Sequence, residues 1–99
     1  MKVRFARSAE ADLEAIGDWI ADQNPRRAIT FVGELRARCI SLSQQPNRFP
    51  SVGRVAGHPL RKLSHGNYHI FYLVSTDRVN IVRITHGSRD WSALLVDLQ

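Results

Sequence analysis

The chain contains a single cysteine, Cys39, among its 99 residues. No disulfide can therefore form within the chain, and no cysteine-based metal site is possible. A lone thiol suits the reducing cytosol, so we expect a cytoplasmic protein. Cys39 falls on the apolar stripe of a predicted helix, where cysteine behaves as a small buried apolar residue. The disulfide-rich secreted scaffolds are excluded as a class.

Long apolar runs and the common cofactor motifs are also missing. No apolar run approaches the roughly 18 residues that a spanning helix needs, and the basic residues 1–5 have no apolar stretch behind them. We therefore expect neither a membrane segment nor a signal peptide. Glycine-rich phosphate loops, Gly-x-Ser-x-Gly and His-Glu-x-x-His are absent. His58, His65 and His69 have no carboxylate cluster beside them, so we expect no metal and no cofactor.

The positive charge is unevenly distributed along the chain. With 99 residues, 43% of them hydrophobic, and a net charge of +5, we expect one globular domain over residues 1–99. Residues 1–45 carry seven Lys/Arg against six Asp/Glu, whereas residues 46–99 carry seven against three, with all four histidines. The basic half should face an acidic partner, either nucleic acid or an acidic protein segment. A solubilising surface is the alternative.

Hydrophobic periodicity predicts a strand and then two helices. Residues 2–6 alternate and indicate a short strand. Ser8 is the predicted N-cap of the first helix, whose apolar stripe is Ala9, Leu13, Ile16 and Ile20. Asn24 and Pro25 end that helix and begin the second, whose stripe is Ala28, Val32, Leu35, Cys39 and Leu42. Gln45-Pro46 should stop it, and the short connection predicts an antiparallel helical hairpin.

The second half of the chain predicts a sheet. Residues 46–57, with two prolines and two glycines, indicate a long loop. Strands are predicted around residues 60–64, 68–74 and 79–86, forming a three-stranded antiparallel meander. Residues 91–98 predict a short C-terminal helix. The fold class is α+β, with the helical hairpin on one face of the sheet and the other face partly open and basic.

Four side chains of the basic half are candidates for chemistry: Arg61, Lys62, Arg83 and His86. Strand alternation directs Val82 and Ile84 to the core and Arg83 to the open face or a groove. If Arg61 faces the same way, the two guanidinium groups could bind a phosphate or carboxylate. His86 could serve as a general acid or base near neutral pH. A solvated basic face and a histidine in a turn are the alternatives.

The ending Ile84-Thr85-His86-Gly87-Ser88-Arg89-Asp90 resembles the C-terminal signature of the ParE/RelE toxin superfamily. Further similar pieces lie, in order, at residues 11–20, 28–35, 60–63 and 68–72. The resemblance implies a RelE/ParE-like α+β fold and a toxin of a type II toxin–antitoxin system, used for plasmid or chromosome maintenance. It also implies a cognate ParD-like antitoxin, bound in a hetero-oligomeric complex.

The resemblance is greater to the ParE-like branch, whose members inhibit DNA gyrase by binding. It implies that Arg89, Asp90 and Trp91 bind the target, and that Arg61, Arg83 and Trp19 bind the antitoxin. The alternative is a RelE-like, ribosome-dependent mRNA endonuclease, with the four basic candidates as catalytic residues. Such members often use a Tyr or His near the C-terminus, and this chain has neither after Arg89. A family member that binds its antitoxin but is no longer toxic is a third possibility.

Overall fold

The computed structural model describes residues 1–87, in which two helices pack on one face of a five-stranded sheet. The strand order is β1-β5-β4-β3-β2; β1 is parallel to β5 and the other neighbours are antiparallel. This is the predicted α+β fold, while the helix predicted over residues 91–98 lies outside the described part. The elements are β1 (Lys2–Phe5), α1 (Arg7–Ala21), α2 (Pro25–Ile40), a 3-10 turn (Ser41–Ser43), β2 (Ser51–Val55), β3 (His58–His65), β4 (Tyr68–Val74) and β5 (Arg78–His86).

The two helices form the predicted antiparallel hairpin. Asn24 caps α2, because its side-chain oxygen accepts a hydrogen bond from the backbone N–H of Arg27 at 3.1 Å. Glu10 near the start of α1 pairs with Arg36 near the end of α2 at 2.7 Å, as an antiparallel arrangement requires. Neither helix of the described chain is long and apolar enough to cross a membrane.

Two helix boundaries differ from the prediction: the start of α1 and the end of α2. Ser8 is not the N-cap of α1; the cap is Ala6, which makes no side-chain hydrogen bond. The Ser8 hydroxyl instead donates to the carbonyl oxygen of Val82 on β5 at 2.7 Å. Helix α2 ends at Ile40 rather than at Gln45-Pro46, because the backbone tightens into the 3-10 turn before the proline is reached.

The main core lies between the helical hairpin and the sheet. Cys39 is fully buried in it, as predicted, and burial raises the pKa of its thiol to about 12. A second, smaller cluster of Val55, Leu60 and Phe71 lies on the opposite face of the sheet, which is therefore less open than predicted. The buried members of the main core are Ala9, Leu13, Ile16, Leu35, Cys39, Leu42, Leu63, Tyr68, Ile70, Tyr72, Val79, Ile81 and Ile84.

Strand β2 is an element that the sequence prediction missed, so four antiparallel strands replace the predicted three-stranded meander. It lies inside the segment predicted as a loop. Its register with β3 shifts between Ser51 and Gly53, which leaves Val52 as an extra residue. Val52 and Val55 therefore pack on the same cluster at a spacing of three, and the alternation that identifies a strand is lost.

A second irregularity corrects the predicted orientation of β5. The register between β4 and β5 shifts, so that Tyr72 faces Ile81 while Phe71 faces Arg83, and Val82 is the extra residue. Ile81 and Ile84 belong to the main core, whereas Val82 packs on the opposite face. The prediction that Val82 and Ile84 share the core face is wrong, because the bulge reverses the alternation between them.

The edge of β5 that β1 leaves unpaired is covered by α1. Pairing with β1 stops at Ile81, after which the chain turns into the helix. One carboxylate oxygen of Asp12 accepts the backbone N–H of Ile84 at 2.8 Å and the Nε–H of Arg83 at 2.8 Å. The other oxygen accepts from Nη2 of Arg83 at 3.1 Å. Asp12 thus satisfies a strand-edge donor and a guanidinium group together.

We predict that Asp12→Ala lowers the free energy of unfolding by about 2–4 kcal/mol, because it leaves the N–H of Ile84 and a largely buried guanidinium group without their acceptor. The measurement is chemical denaturation followed by circular dichroism. Asp18→Ala removes an exposed carboxylate from the same helix and should change stability by less than about 0.5 kcal/mol. Equal effects of the two substitutions would contradict this role of Asp12.

Candidate functional site

A groove of about 470 Å³ lies between α1 and the end of β5. Trp19 stands at its rim with 65% of its surface exposed. Large exposed aromatic side chains beside an apolar concavity are typical of protein-binding surfaces. Of the candidates predicted from sequence, the groove includes Trp19 and His86. It is lined by Asp12, Ala15, Ile16, Trp19, Tyr68, Ile84, Thr85 and His86.

Thr85 gives this groove an unsatisfied polar atom. The residue is only 3% exposed, and its hydroxyl oxygen is the one buried side-chain polar atom of the described chain that has no hydrogen-bond partner. Buried hydroxyls are normally paired, and an exception calls for an explanation. Because this oxygen is itself buried, a partner in the groove could bond to it only after the surrounding side chains move.

Aromatic rings form the wall of the groove next to Thr85. Tyr68 packs edge-on against the imidazole ring of His86, with ring centres 5.2 Å apart. On its other side it meets Phe31 of α2 at 5.5 Å. Burial raises the pKa of the Tyr68 hydroxyl, so Tyr68 is uncharged at neutral pH. The wall is a firm, largely apolar surface.

The Asp12–Arg83 pair lies beside the groove and determines its charge. The side chains of Arg83 and Asp12 are 17% and 16% exposed, so water screens the pair only weakly. Arg83 is held by two charge-assisted hydrogen bonds in the geometry that guanidinium and carboxylate groups favour. Its positive charge is therefore largely balanced within the protein.

Arg61 and Arg83 do not converge, contrary to one possibility raised by the sequence. Arg61 on β3 pairs with Tyr72 on β4. Its neighbour Lys62 pairs with Phe71, and Phe71 in turn pairs with Arg83 on β5. Arg61 donates a hydrogen bond to the carbonyl oxygen of Phe49 at 2.6 Å. This bond ties the loop before β2 to the sheet, so Arg61 has a structural partner of its own.

Lys62, His69 and His86 form a basic group near one end of the sheet. Burial lowers the pKa of His69, and the positive charges of Lys62 and His86 lower it further. Nδ1 of His69 lies 3.0 Å from the hydroxyl oxygen of Ser64. His86 is exposed at the end of β5. This group is the part of the structure that most resembles a catalytic arrangement.

Asp12 is the site residue that sequence reasoning missed. The acidic residues Glu10, Glu14, Asp18 and Asp22 form a regular ladder on the polar side of α1, and Asp12 is not part of it. It lies three residues after Ala9 and four before Ile16, and therefore on the apolar stripe. An acid at that position needs a buried partner, and this signal could have identified it.

Two other features of the structure bear on the choice of site. A separate concavity of about 680 Å³ lies between α1 and α2 and includes the Glu10–Arg36 pair but none of the predicted candidates. Within residues 1–87, no group of three or more His, Cys, Asp or Glu could hold a metal ion. The predicted target-binding residues Arg89, Asp90 and Trp91 lie outside the described residues.

Comparison with known proteins places this fold and sequence in a family. The family described as "ParE toxin of type II toxin-antitoxin system, parDE" matches residues 3–91. A curated relative, Toxin RelE2 of Caulobacter vibrioides, is 39% identical over 82 residues, covering 82% of this chain and 89% of the relative.

Solved structures give the same answer at the level of the fold. The chromosomal ParDE toxin–antitoxin system from P. aeruginosa superposes with a TM-score of 0.72 at 25% identity, covering 87% of this chain and 95% of that chain. The toxin–antitoxin complex RelBE2 from Mycobacterium tuberculosis has a TM-score of 0.61 at 23% identity, covering 86% and 95%. The chain therefore belongs to the ParE/RelE superfamily of type II toxin–antitoxin toxins, through the ParE toxin family that its sequence matches.

Proposed function

We propose that this toxin inhibits DNA gyrase by binding it, without catalysis of its own, and that a ParD-like antitoxin neutralises it. The observation that carries the proposal is the Asp12–Arg83 pair. Arg83 lies beside the groove and could stabilise a phosphate, yet two of its N–H groups are held by a carboxylate. The match to the ParE toxin family supports the same target.

Cleavage of RNA by a ribose 2′-hydroxyl would need a base, an acid and cations facing the developing phosphate charge. Arg83 already donates its Nε–H and one Nη2–H to Asp12, so a phosphate could use only its remaining N–H groups and would approach the Asp12 carboxylate, which repels it. Nη1 of Arg61 is likewise bonded to the carbonyl of Phe49. The two strongest phosphate ligands among the candidates therefore support the fold, and this favours action by binding.

The RelE-like endonuclease is the second candidate. The curated relative at 39% identity carries the name Toxin RelE2. Lys62, His69 and His86 also interact at one end of the sheet, where a histidine and a lysine could move a proton and stabilise charge. Under this alternative these residues, rather than Arg61 and Arg83, would carry the reaction.

The antitoxin is proposed to occupy the groove beside Trp19. An apolar concavity with an exposed tryptophan at its rim suits the anchor residues of a peptide segment. Trp19, Arg83 and Arg61 were the residues expected to bind the antitoxin. Trp19 lines the groove and Arg83 lies beside it, whereas Arg61 is not among the lining residues.

A gyrase reaction on supercoiled plasmid tests the proposed target. Purified toxin should cause accumulation of linear, protein-linked DNA, and prior addition of the antitoxin should prevent it. The double variant Lys62→Ala/His86→Ala should inhibit gyrase as strongly as the original protein, because the proposed action needs neither a proton transfer nor a phosphate ligand at these positions. The extent of cleavage is read on denaturing gels after protease treatment.

The competing target is tested in parallel by translation on purified ribosomes with a defined mRNA. Two results together would overturn the proposal in favour of the endonuclease. The original toxin would cleave that mRNA while Lys62→Ala/His86→Ala would not, and gyrase activity would be unchanged by the toxin. Inactivity in both reactions would identify this chain as a family member that is no longer toxic.

We predict that Trp19→Ala weakens antitoxin binding by about 30-fold or more, since buried tryptophan anchors typically contribute about 2 kcal/mol or more. Ile29→Ala is the matched control, because Ile29 is 77% exposed and belongs to the separate concavity between the helices. The dissociation constants are measured by isothermal titration calorimetry. Equal affinities for the two variants would show that the antitoxin binds elsewhere.

A further inference from the structure

Two arginines from separate parts of the chain stack on one phenylalanine ring. The guanidinium carbon of Arg38, on α2, lies 5.6 Å from the centre of the Phe49 ring, and that of Arg48 lies 5.4 Å from it. The two cationic groups are therefore at most about 11 Å apart. Arg61 adds a third guanidinium group, bonded to the carbonyl oxygen of Phe49. Stacking on an aromatic ring fixes a guanidinium plane while leaving its N–H edge available.

These arginines lie in a stretch of sequence without any acidic residue. From residue 35 to residue 76 there is no Asp or Glu, while the same segment carries five arginines besides Lys62. Within the described chain the carboxylates lie before this stretch, mostly on α1, and at Asp77 after it. Within this stretch Arg36 is balanced by Glu10 of α1. The remaining local excess of arginine attracts a polyanion.

The cleft beside the stacked arginines is small. Its volume is about 250 Å³, and Ser41, Gln44 and Gln45 line it together with Arg38 and Arg48. Its apolar members give no deep anchor, since Leu42 is buried and the Phe49 ring lies against the guanidinium groups. Arginine, serine and glutamine are the side chains that commonly contact phosphate oxygens, whereas a protein segment would need an apolar pocket for its anchors.

We propose that Arg38 and Arg48, held on Phe49, bind the phosphodiester backbone of a nucleic acid, with Gln44 as a further hydrogen-bond donor. Successive phosphates of one strand are about 3.4 Å apart along the axis of a duplex, so cations within about 11 Å of each other can contact nearby phosphates of the same strand. The contact carries no sequence information and reads only charge and spacing. This goes beyond the proposed gyrase inhibition and does not depend on it.

Fluorescence anisotropy of labelled oligonucleotides tests the proposal with the purified toxin. Single-stranded DNA, duplex DNA and single-stranded RNA of one sequence are titrated at several salt concentrations, which separates the possible sources of the phosphodiester. Arg38→Gln/Arg48→Gln should weaken binding by about tenfold or more near 0.1 M salt, and should reduce the slope of log affinity against log salt by about 1.4–1.8, as expected for two lost phosphate contacts.

The control is Arg4→Gln/Arg26→Gln, which removes the same charge from two exposed positions outside the acid-free stretch. It should retain most of the affinity and the original slope. Equal losses in both double variants would overturn the proposal, because net charge alone would then explain binding. Stronger binding of a glutamate-rich peptide of equal charge, competing at the same arginines, would also overturn it. If the double variant does not fold, Arg48→Gln alone should reduce the slope by about 0.7–0.9.

Discussion

The carboxylate of Asp12 joins the helical hairpin to the sheet at the point where the sheet has an open edge. Strand β1 pairs with β5 only as far as Ile81, and beyond it the backbone of β5 would face solvent or another chain. Unpaired strand edges favour association with other strands. By accepting the N–H of Ile84, Asp12 substitutes for the missing strand, and the Ser8 hydroxyl does the same for the carbonyl of Val82. The position of α1, and with it the groove beside Trp19, follows from these two bonds.

The same carboxylate determines the chemistry that is open to β5. A guanidinium group beside a groove could bind phosphate, but one that already has two hydrogen bonds to a carboxylate has fewer free N–H groups and a neighbouring negative charge that opposes the phosphate. The bulge at Val82 helps to place Arg83. The register shift sets Arg83 opposite Phe71, and its guanidinium group is bonded to Asp12. This internal balance of the Arg83 charge is one reason for the proposal that the toxin acts by binding.

The sequence predicted those features that depend on local, repeated signals. Asn24 and Pro25 mark the helix junction through capping and a fixed φ, and the apolar stripe that includes Cys39 faces the core as its spacing requires. The two errors in the strands share one physical cause. Bulges at Val52 and Val82 each add a residue, which reverses the alternation on which strand prediction depends. Ser8 was misassigned because its hydroxyl bonds to a carbonyl 74 residues away, and local capping rules contain no such information.

The distribution of charge suggests how one small toxin could serve two partners. The carboxylates of the described chain are concentrated on α1, next to the groove, whereas Arg38, Arg48 and Arg61 surround Phe49. Arg61 faces Tyr72, four residues or about 13 Å along β4 from Tyr68 in the groove. An occupant of the groove would therefore not need to cover the stacked arginines. An antitoxin in the groove would then neutralise the toxin by preventing it from binding its protein target. The toxin–antitoxin complex would keep its affinity for a nucleic acid backbone.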